Sequence, residues 1–156
     1  MSAAPAWSRR RSLHALGLLA LGRPVWAAGK ALPLSVSLRD ELAVALKARQ
    51  PLVVMVSLHR CPWCDEVRNN YLAPMRAQEG LHVVQVDMRS TRRTETADGQ
   101  PTTHDALVRA WGVRLAPTLL FLGPGGREVA ERLVGGSPDF YGGYLDQRLE
   151  AARRSL

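Results

Sequence analysis

The chain has 156 residues, a formal charge of +7, 46% apolar side chains and only two cysteines. The length fits one domain with one proper core. Arg9, Arg10, Arg11 and Arg23 lie in the first 27 residues; without them the 21 Lys and Arg fall to 17 against 14 acids, about +3, too small an excess to argue for nucleic acid.

Residues 1–27 read as an export signal. Arg9-Arg10-Arg11 forms a positive head, Leu13 to Gly22 an apolar stretch broken by His14, and Val25-Trp26-Ala27 a peptidase site. The stretch is shorter than the roughly 20 residues that span a bilayer, so no stable membrane insertion is expected after cleavage. Ser8-Arg9-Arg10-Arg11-Ser12-Leu13-His14 also resembles the twin-arginine motif, with Ser12 where a large apolar residue is usual. Sec and twin-arginine export both remain open.

Residues 28–156 form the expected domain. A short extended piece around Leu34-Ser35-Val36 leads into a helix from Leu38 to Ala48, with Leu38, Leu42, Ala45 and Leu46 at helical spacing. Leu52 to Leu58, apolar, β-branched and preceded by Pro51, reads as a buried parallel strand. Directly after it stands Cys61-Pro62-Trp63-Cys64. Pro62 suits the first position of a helix, which makes Cys61 its N-cap. The Cys61 sulfur then meets the unpaired N–H groups of Trp63 and Cys64 and the positive helix end, both of which favour a thiolate. Cys61 is the expected nucleophile. Cys64 lies on an inward stripe with Val67, Tyr71 and Met75 and is the expected resolving thiol, and Pro74 should kink or end the helix.

A strand follows from Leu81 to Met88, then a polar segment from Arg89 to Thr103 with a turn signal at Asp98-Gly99. No aromatic residue accompanies Arg92-Arg93, which therefore reads as solvated loop rather than a base-stacking site. The segment is longer than a simple connection needs and leaves the carboxyl end of a strand, so it should border the partner-binding face. Asp105 to Trp111 is a short amphipathic helix ended by Gly112, Thr118 to Leu122 an apolar strand, and Gly123 to Gly126 a hairpin turn into an edge strand from Arg127 to Val134. A last helix from Pro138 to Arg153 should bury Phe140, Tyr144, Leu145 and Leu149. The order of elements gives an α/β fold with a central mixed sheet and helices on both faces.

A disulfide closing so short a loop stabilises little, so two cysteines at this spacing point to redox chemistry rather than a staple. The pair, together with Trp111-Gly112-Val113-Arg114-Leu115-Ala116-Pro117-Thr118-Leu119-Leu120-Phe121 about fifty residues downstream, resembles the thioredoxin superfamily over the whole expected domain. The resemblance implies a thioredoxin-like fold, with Pro117 cis beside the cysteines and with Ala116, Pro117 and Thr118 forming a substrate-binding stretch. Gly135-Gly136-Ser137-Pro138-Asp139-Phe140-Tyr141 is similar to the exported thiol reductases associated with bacterial thiosulfate oxidation.

Two departures stand out. Cytosolic thioredoxins carry a buried aspartate six residues before the first cysteine, where this chain has Met55, and a Trp just before the motif, where it has Arg60 beside His59. A cation beside Cys61 would stabilise its thiolate and make the pair more oxidising.

The expected function is a periplasmic thiol–disulfide oxidoreductase that needs no cofactor beyond its own disulfide, with reduction as the favoured direction and dithiol oxidation as the alternative. Its partners would be exported proteins with cysteines and a membrane or periplasmic redox partner, and it would be a monomer. Thioredoxin-like copper carriers offer a reading of another class, but they space their cysteines three apart and add a downstream histidine; neither His82 nor His104 has such a context here, and no metal ligands are assigned. An intact cysteine pair with a matching proline also speaks against a non-catalytic binding module.

Overall fold

The computed structural model describes residues 31–136 and 139–156. The export signal at 1–27 lies outside the described residues, as do Ser137 and Pro138. Among those described, no helix is long and apolar enough to cross a membrane.

Helix α1 (Leu38–Lys47) starts at Ser37, whose hydroxyl accepts the Asp40 N–H at 3.3 Å, while Glu41 reaches back to the Val36 N–H at 2.8 Å. These bonds satisfy amides that the first helical turn leaves unpaired. Strand β1 (Leu52–Ser57) is buried along its whole length. The chain then enters α2 (Pro62–Val67), passes through a wide π turn (Arg68–Leu72) and continues as α3 (Ala73–Glu79). Strand β2 (Val83–Asp87) pairs parallel with β1, and β5 (Thr118–Leu122) pairs antiparallel with β1 on its other side. Strand β6 (Glu128–Val134) forms the far edge, giving the order β2-β1-β5-β6. Between β2 and β5 lie a small hairpin of β3 (Arg93–Glu95) and β4 (Pro101–Thr103), then α4 (His104–Ala110). Helix α5 (Tyr141–Arg154) closes the chain.

Side chains alternate between the two faces of each strand, so the apolar runs of β1 and β5 feed two cores. Val53, Met55, Leu119 and Phe121 pack with Cys64, Val67, Leu72, Leu145 and Leu149 beneath the cysteine helix and α5. Val54, Val56, Leu120 and Leu122 pack with Leu38, Leu42, Leu107 and Val108 beneath α1 and α4. The result is a mixed sheet covered on both faces, as expected from the order of elements.

Several expectations need correction. The extended piece at 34–36 is no strand but a single parallel bridge from Leu34 to Gln85. Pro74 does not end its helix. It lacks the N–H that would bond to the Asn70 carbonyl, and the turn before it is wide, with the Ala73 N–H reaching the carbonyl of Arg68. The extra residue in that turn rotates the inward stripe, so Leu72 is buried while Tyr71 and Met75 are only partly so.

The last helix begins at Tyr141 rather than at Pro138. Phe140 is its N-cap in the left-handed conformation (φ 65°), outside the helix and 80% exposed. The inward stripe is Tyr141, Leu145, Leu149 and Ala152, which leaves Tyr144 half exposed.

Of the polar segment after β2, only Arg89, Ser90 and Thr91 reach the cleft beside His59 and Arg60; the rest does not border the cysteines. Its hairpin folds against α1: Thr94 is within hydrogen-bond distance of Ser35 (3.2 Å), Ser37 donates to Glu95 (2.9 Å), and Arg39 pairs with Glu95 (3.2 Å).

Candidate functional site

The site forms at the carboxyl ends of β1 and β2, where the chain leaves the sheet and the cysteine helix begins. Cys61 caps that helix with an extended backbone (φ −106°, ψ 102°), and Pro62 occupies its first turn. The Cys64 N–H points at the Cys61 sulfur at 3.1 Å, and the Asp65 N–H bonds to the Cys61 carbonyl at 3.1 Å. The two cysteines are joined in a disulfide with their Cα atoms 5.2 Å apart.

Their surroundings differ. Cys61 is partly exposed, while Cys64 is fully buried in the core beneath the helix. Only Cys61 can be approached from outside. Trp63 stands half exposed beside the pair.

The loop from α4 to β5 comes up against this end of the helix. The Ala116–Pro117 peptide bond is cis, Pro117 is buried, and the Ala116 carbonyl oxygen lies 3.8 Å from the Cys61 sulfur. Ala116 is partly exposed, so its backbone lies at the surface beside the disulfide. Thr118, expected in the substrate-binding stretch, is buried. Its hydroxyl donates to the Leu115 carbonyl at 2.8 Å, which ties the loop together rather than presenting the side chain to a partner.

Two glycines complete the face. The Gly135 N–H bonds to the Pro117 carbonyl at 2.8 Å. A Cβ placed on Gly136 would sit 3.1 Å from the Trp63 Cβ and 3.6 Å from the Pro117 ring, so a side chain there would crowd both. The sequence resemblance alone assigns the Gly-Gly pair no role at the site. A glycine doublet just beyond an edge strand was the available sign of a close approach. Leu115 and Val134 are exposed around a groove on this side of the molecule.

Among the described residues no acid belongs to the core around Cys64, where Met55 is fully buried. Asp65 pairs with Arg68 (2.6 Å) and Glu66 accepts from Asn70 (2.6 Å), so both carboxylates are engaged at the surface. Arg68 also donates to Gln85 (2.9 Å) and Ser57 (3.2 Å), and Gln85 donates to Asp87 (2.7 Å). This network, also missed from sequence, floors a polar cleft of about 540 Å³ beside His59 and Arg60.

The histidines weighed as metal ligands are elsewhere. His104 is fully buried; its Nδ1 accepts the Asp87 N–H at 3.0 Å, so the ring proton sits on Nε2, 2.8 Å from the Ser35 carbonyl. His82 lies just before β2, at the opposite end of the sheet from the cysteines. No group of three potential metal-binding side chains occurs among the described residues.

Residues 38–147 match the family described as a thioredoxin-like domain. No curated protein is significantly similar in sequence. Among solved structures, a DsbH oxidoreductase superposes with a TM-score of 0.55 at 20% identity, over 86% of this chain and 92% of that one. A poplar thioredoxin h gives 0.52 at 20% identity, over 75% and 88% of the two chains. A thioredoxin from Nicotiana alata gives 0.50 at 18% identity, over 76% and 96%. At these identities the likeness speaks for the fold.

Proposed function

This chain belongs to the thioredoxin-like domain family, and from that premise we propose that it is a periplasmic thiol–disulfide oxidoreductase that reduces disulfides in exported proteins. The observation that carries the reading is the asymmetry of the pair: a partly exposed Cys61 at a helix N-cap with a buried Cys64 behind it.

In the reducing direction the Cys61 thiolate attacks one sulfur of a substrate disulfide. A mixed disulfide forms and the other substrate sulfur leaves as a thiolate, which takes a proton from solvent. The Cys64 thiol gives up its proton and attacks the Cys61 sulfur, which expels the second substrate thiolate. Two electrons have then passed to the substrate and the protein holds the Cys61–Cys64 disulfide. A dithiol partner in the membrane or periplasm restores it by the same exchange. The Ala116 backbone beside the sulfurs suits pairing with an extended substrate segment.

The periplasmic assignment rests on the signal-like segment 1–27, and the reducing direction on the similarity of the segment after β6 to exported thiol reductases. One observation favours the opposite direction. Arg60 directly precedes Cys61 with its backbone in the left-handed region, and a cation there stabilises the thiolate, hence the reduced form. The reduction potential, read from Trp63 fluorescence across glutathione and dithiothreitol ratios, decides between them. A value near about −270 mV supports a reductase, and one near about −120 mV makes the protein a dithiol oxidase.

A further inference from the structure

The cleft beside Cys61 has a floor of mixed charge and a cationic rim. On the floor, Arg68 is held by Asp65, Gln85 and Ser57, and Asp87 accepts from Gln85. Arg68 answers Asp65, and Asp87 leaves one negative charge on the floor against the two positive charges of the rim. On the rim stand Arg60, which follows β1, and Arg89, which follows β2. Both are exposed, and among the described residues no carboxylate lies within ion-pair reach of either.

The backbone singles out the same two residues. Among the described residues, four other than glycine have positive φ: Arg49, Arg60, Arg89 and Phe140. Arg49 follows α1, where a left-handed residue commonly ends a helix, and Phe140 caps α5. The other two, Arg60 (φ 57°) and Arg89 (φ 59°), both border this cleft. Each conformation is strained for a residue with a Cβ, so the surrounding structure must hold it. At Arg89 the holding bonds are visible: its N–H bonds to Asp105 (2.9 Å), and the Met88 N–H bonds to the Ser57 carbonyl (2.8 Å). Two turns leaving adjacent strands thus place unpaired guanidinium groups around one polar hollow, next in sequence to the attacking sulfur.

We propose that this cleft recognises an acidic side chain flanking the cysteine of the substrate polypeptide, with Arg60 and Arg89 holding its carboxylate while Cys61 engages the neighbouring disulfide. Guanidinium groups suit this task because their planar N–H array matches a carboxylate. The Trp63 and Pro117 side of the disulfide meets the apolar part of the substrate, and the arginine side reads its charge. The assignment rests on the disulfide-exchange reading given above.

Three otherwise identical peptides test it, each with one internal disulfide flanked by Glu-Glu, Gln-Gln or Lys-Lys, and each mixed with the reduced full chain. The expected order of exchange rates at low salt is acidic, neutral, basic, with the acidic peptide ahead of the neutral one by roughly ten-fold for two charge pairs. That lead should shrink as ionic strength rises towards 0.5 M, where the screening length falls to about 4 Å. Arg60→Gln and Arg89→Gln should each cut the acidic-to-neutral ratio by roughly three-fold, and the double change to Glu should invert it. Any effect of Arg60 on the Cys61 thiolate acts on all three peptides and cancels in the ratio. Equal rates for the three peptides at every salt concentration, or a ratio that the substitutions leave unmoved, overturn acid recognition while the exchange activity stands. No exchange with any peptide overturns the activity and this assignment together.

Discussion

The hairpin and the redox face both belong to the segments that leave the sheet at the carboxyl ends of its strands, yet they treat their side chains in opposite ways. The hairpin turns its polar groups inward: Thr94 meets Ser35, the Glu95 carboxylate binds Ser37 and Arg39, and His104 at its foot spends both ring nitrogens on backbone. The redox face leaves Trp63, Leu115 and Val134 exposed and the Cys61 sulfur within reach of solvent. One region is satisfied by its own chain and the other is left for a partner to complete. The first should govern stability and the second exchange.

 The contrast is sharpest at Glu95, whose carboxylate takes both the Ser37 hydroxyl and the Arg39 guanidinium, whereas Arg60 and Arg89 on the other side find no such partner among the described residues.

The largest expected effect breaks the redox face alone. Cys61→Ser should abolish exchange with every disulfide substrate and leave the urea midpoint of the reduced protein nearly unchanged, since Cys61 is only partly buried. Next comes the structural region. His104→Ala removes a fully buried ring and orphans the Asp87 N–H and the Ser35 carbonyl, so urea unfolding should show a loss of about 3 kcal/mol. The protein that remains folded should exchange disulfides at an undiminished rate.

A smaller effect returns to the redox face. Gly136→Val would crowd Trp63 and Pro117 and should slow exchange with a protein disulfide by about ten-fold through misplacement of these groups. The smallest concerns the core beneath the cysteine helix. The Tyr141 hydroxyl is buried without a partner, and burial beside Tyr71 raises its pKa above the ordinary phenol value. Tyr141→Phe removes a polar atom that gains nothing where it sits, so stability should change by less than about 0.5 kcal/mol or rise. A loss of 2 kcal/mol or more would show that the hydroxyl has a hydrogen-bond partner in solution.

The same division explains what the sequence could and could not reveal. The buried strands β1 and β5 are continuous apolar runs, and Cys61 and Pro62 mark a strand end and a helix start by local chemistry, so these parts were legible. The hairpin strands are three residues each, polar but for Pro101, and depend on Ser35 and Ser37, nearly 60 positions away. No local pattern announces such pairing. The inward stripe of the cysteine helix departs from regular helical spacing after Val67 because the π turn before Pro74 inserts a residue, an effect that periodicity alone does not register. Phe140 and Tyr144 looked like core by residue type, but the left-handed cap at Phe140 starts the helix later and sets a different stripe. At the site, the cysteines could be found from spacing. The approach of Gly136 to Trp63 and the network from Arg68 to Asp87 join segments far apart in the chain, so only the fold reveals them.

The most direct test of the division of labour between the two cysteines is a trapping measurement. Cys64→Ser is mixed with a protein disulfide, and the resulting adduct is mapped by mass spectrometry under non-reducing conditions. A mixed disulfide through Cys61, with Cys61→Ser forming none in parallel, is the predicted result. An adduct through Cys64 in the Cys61→Ser protein, with none in Cys64→Ser, would contradict the account.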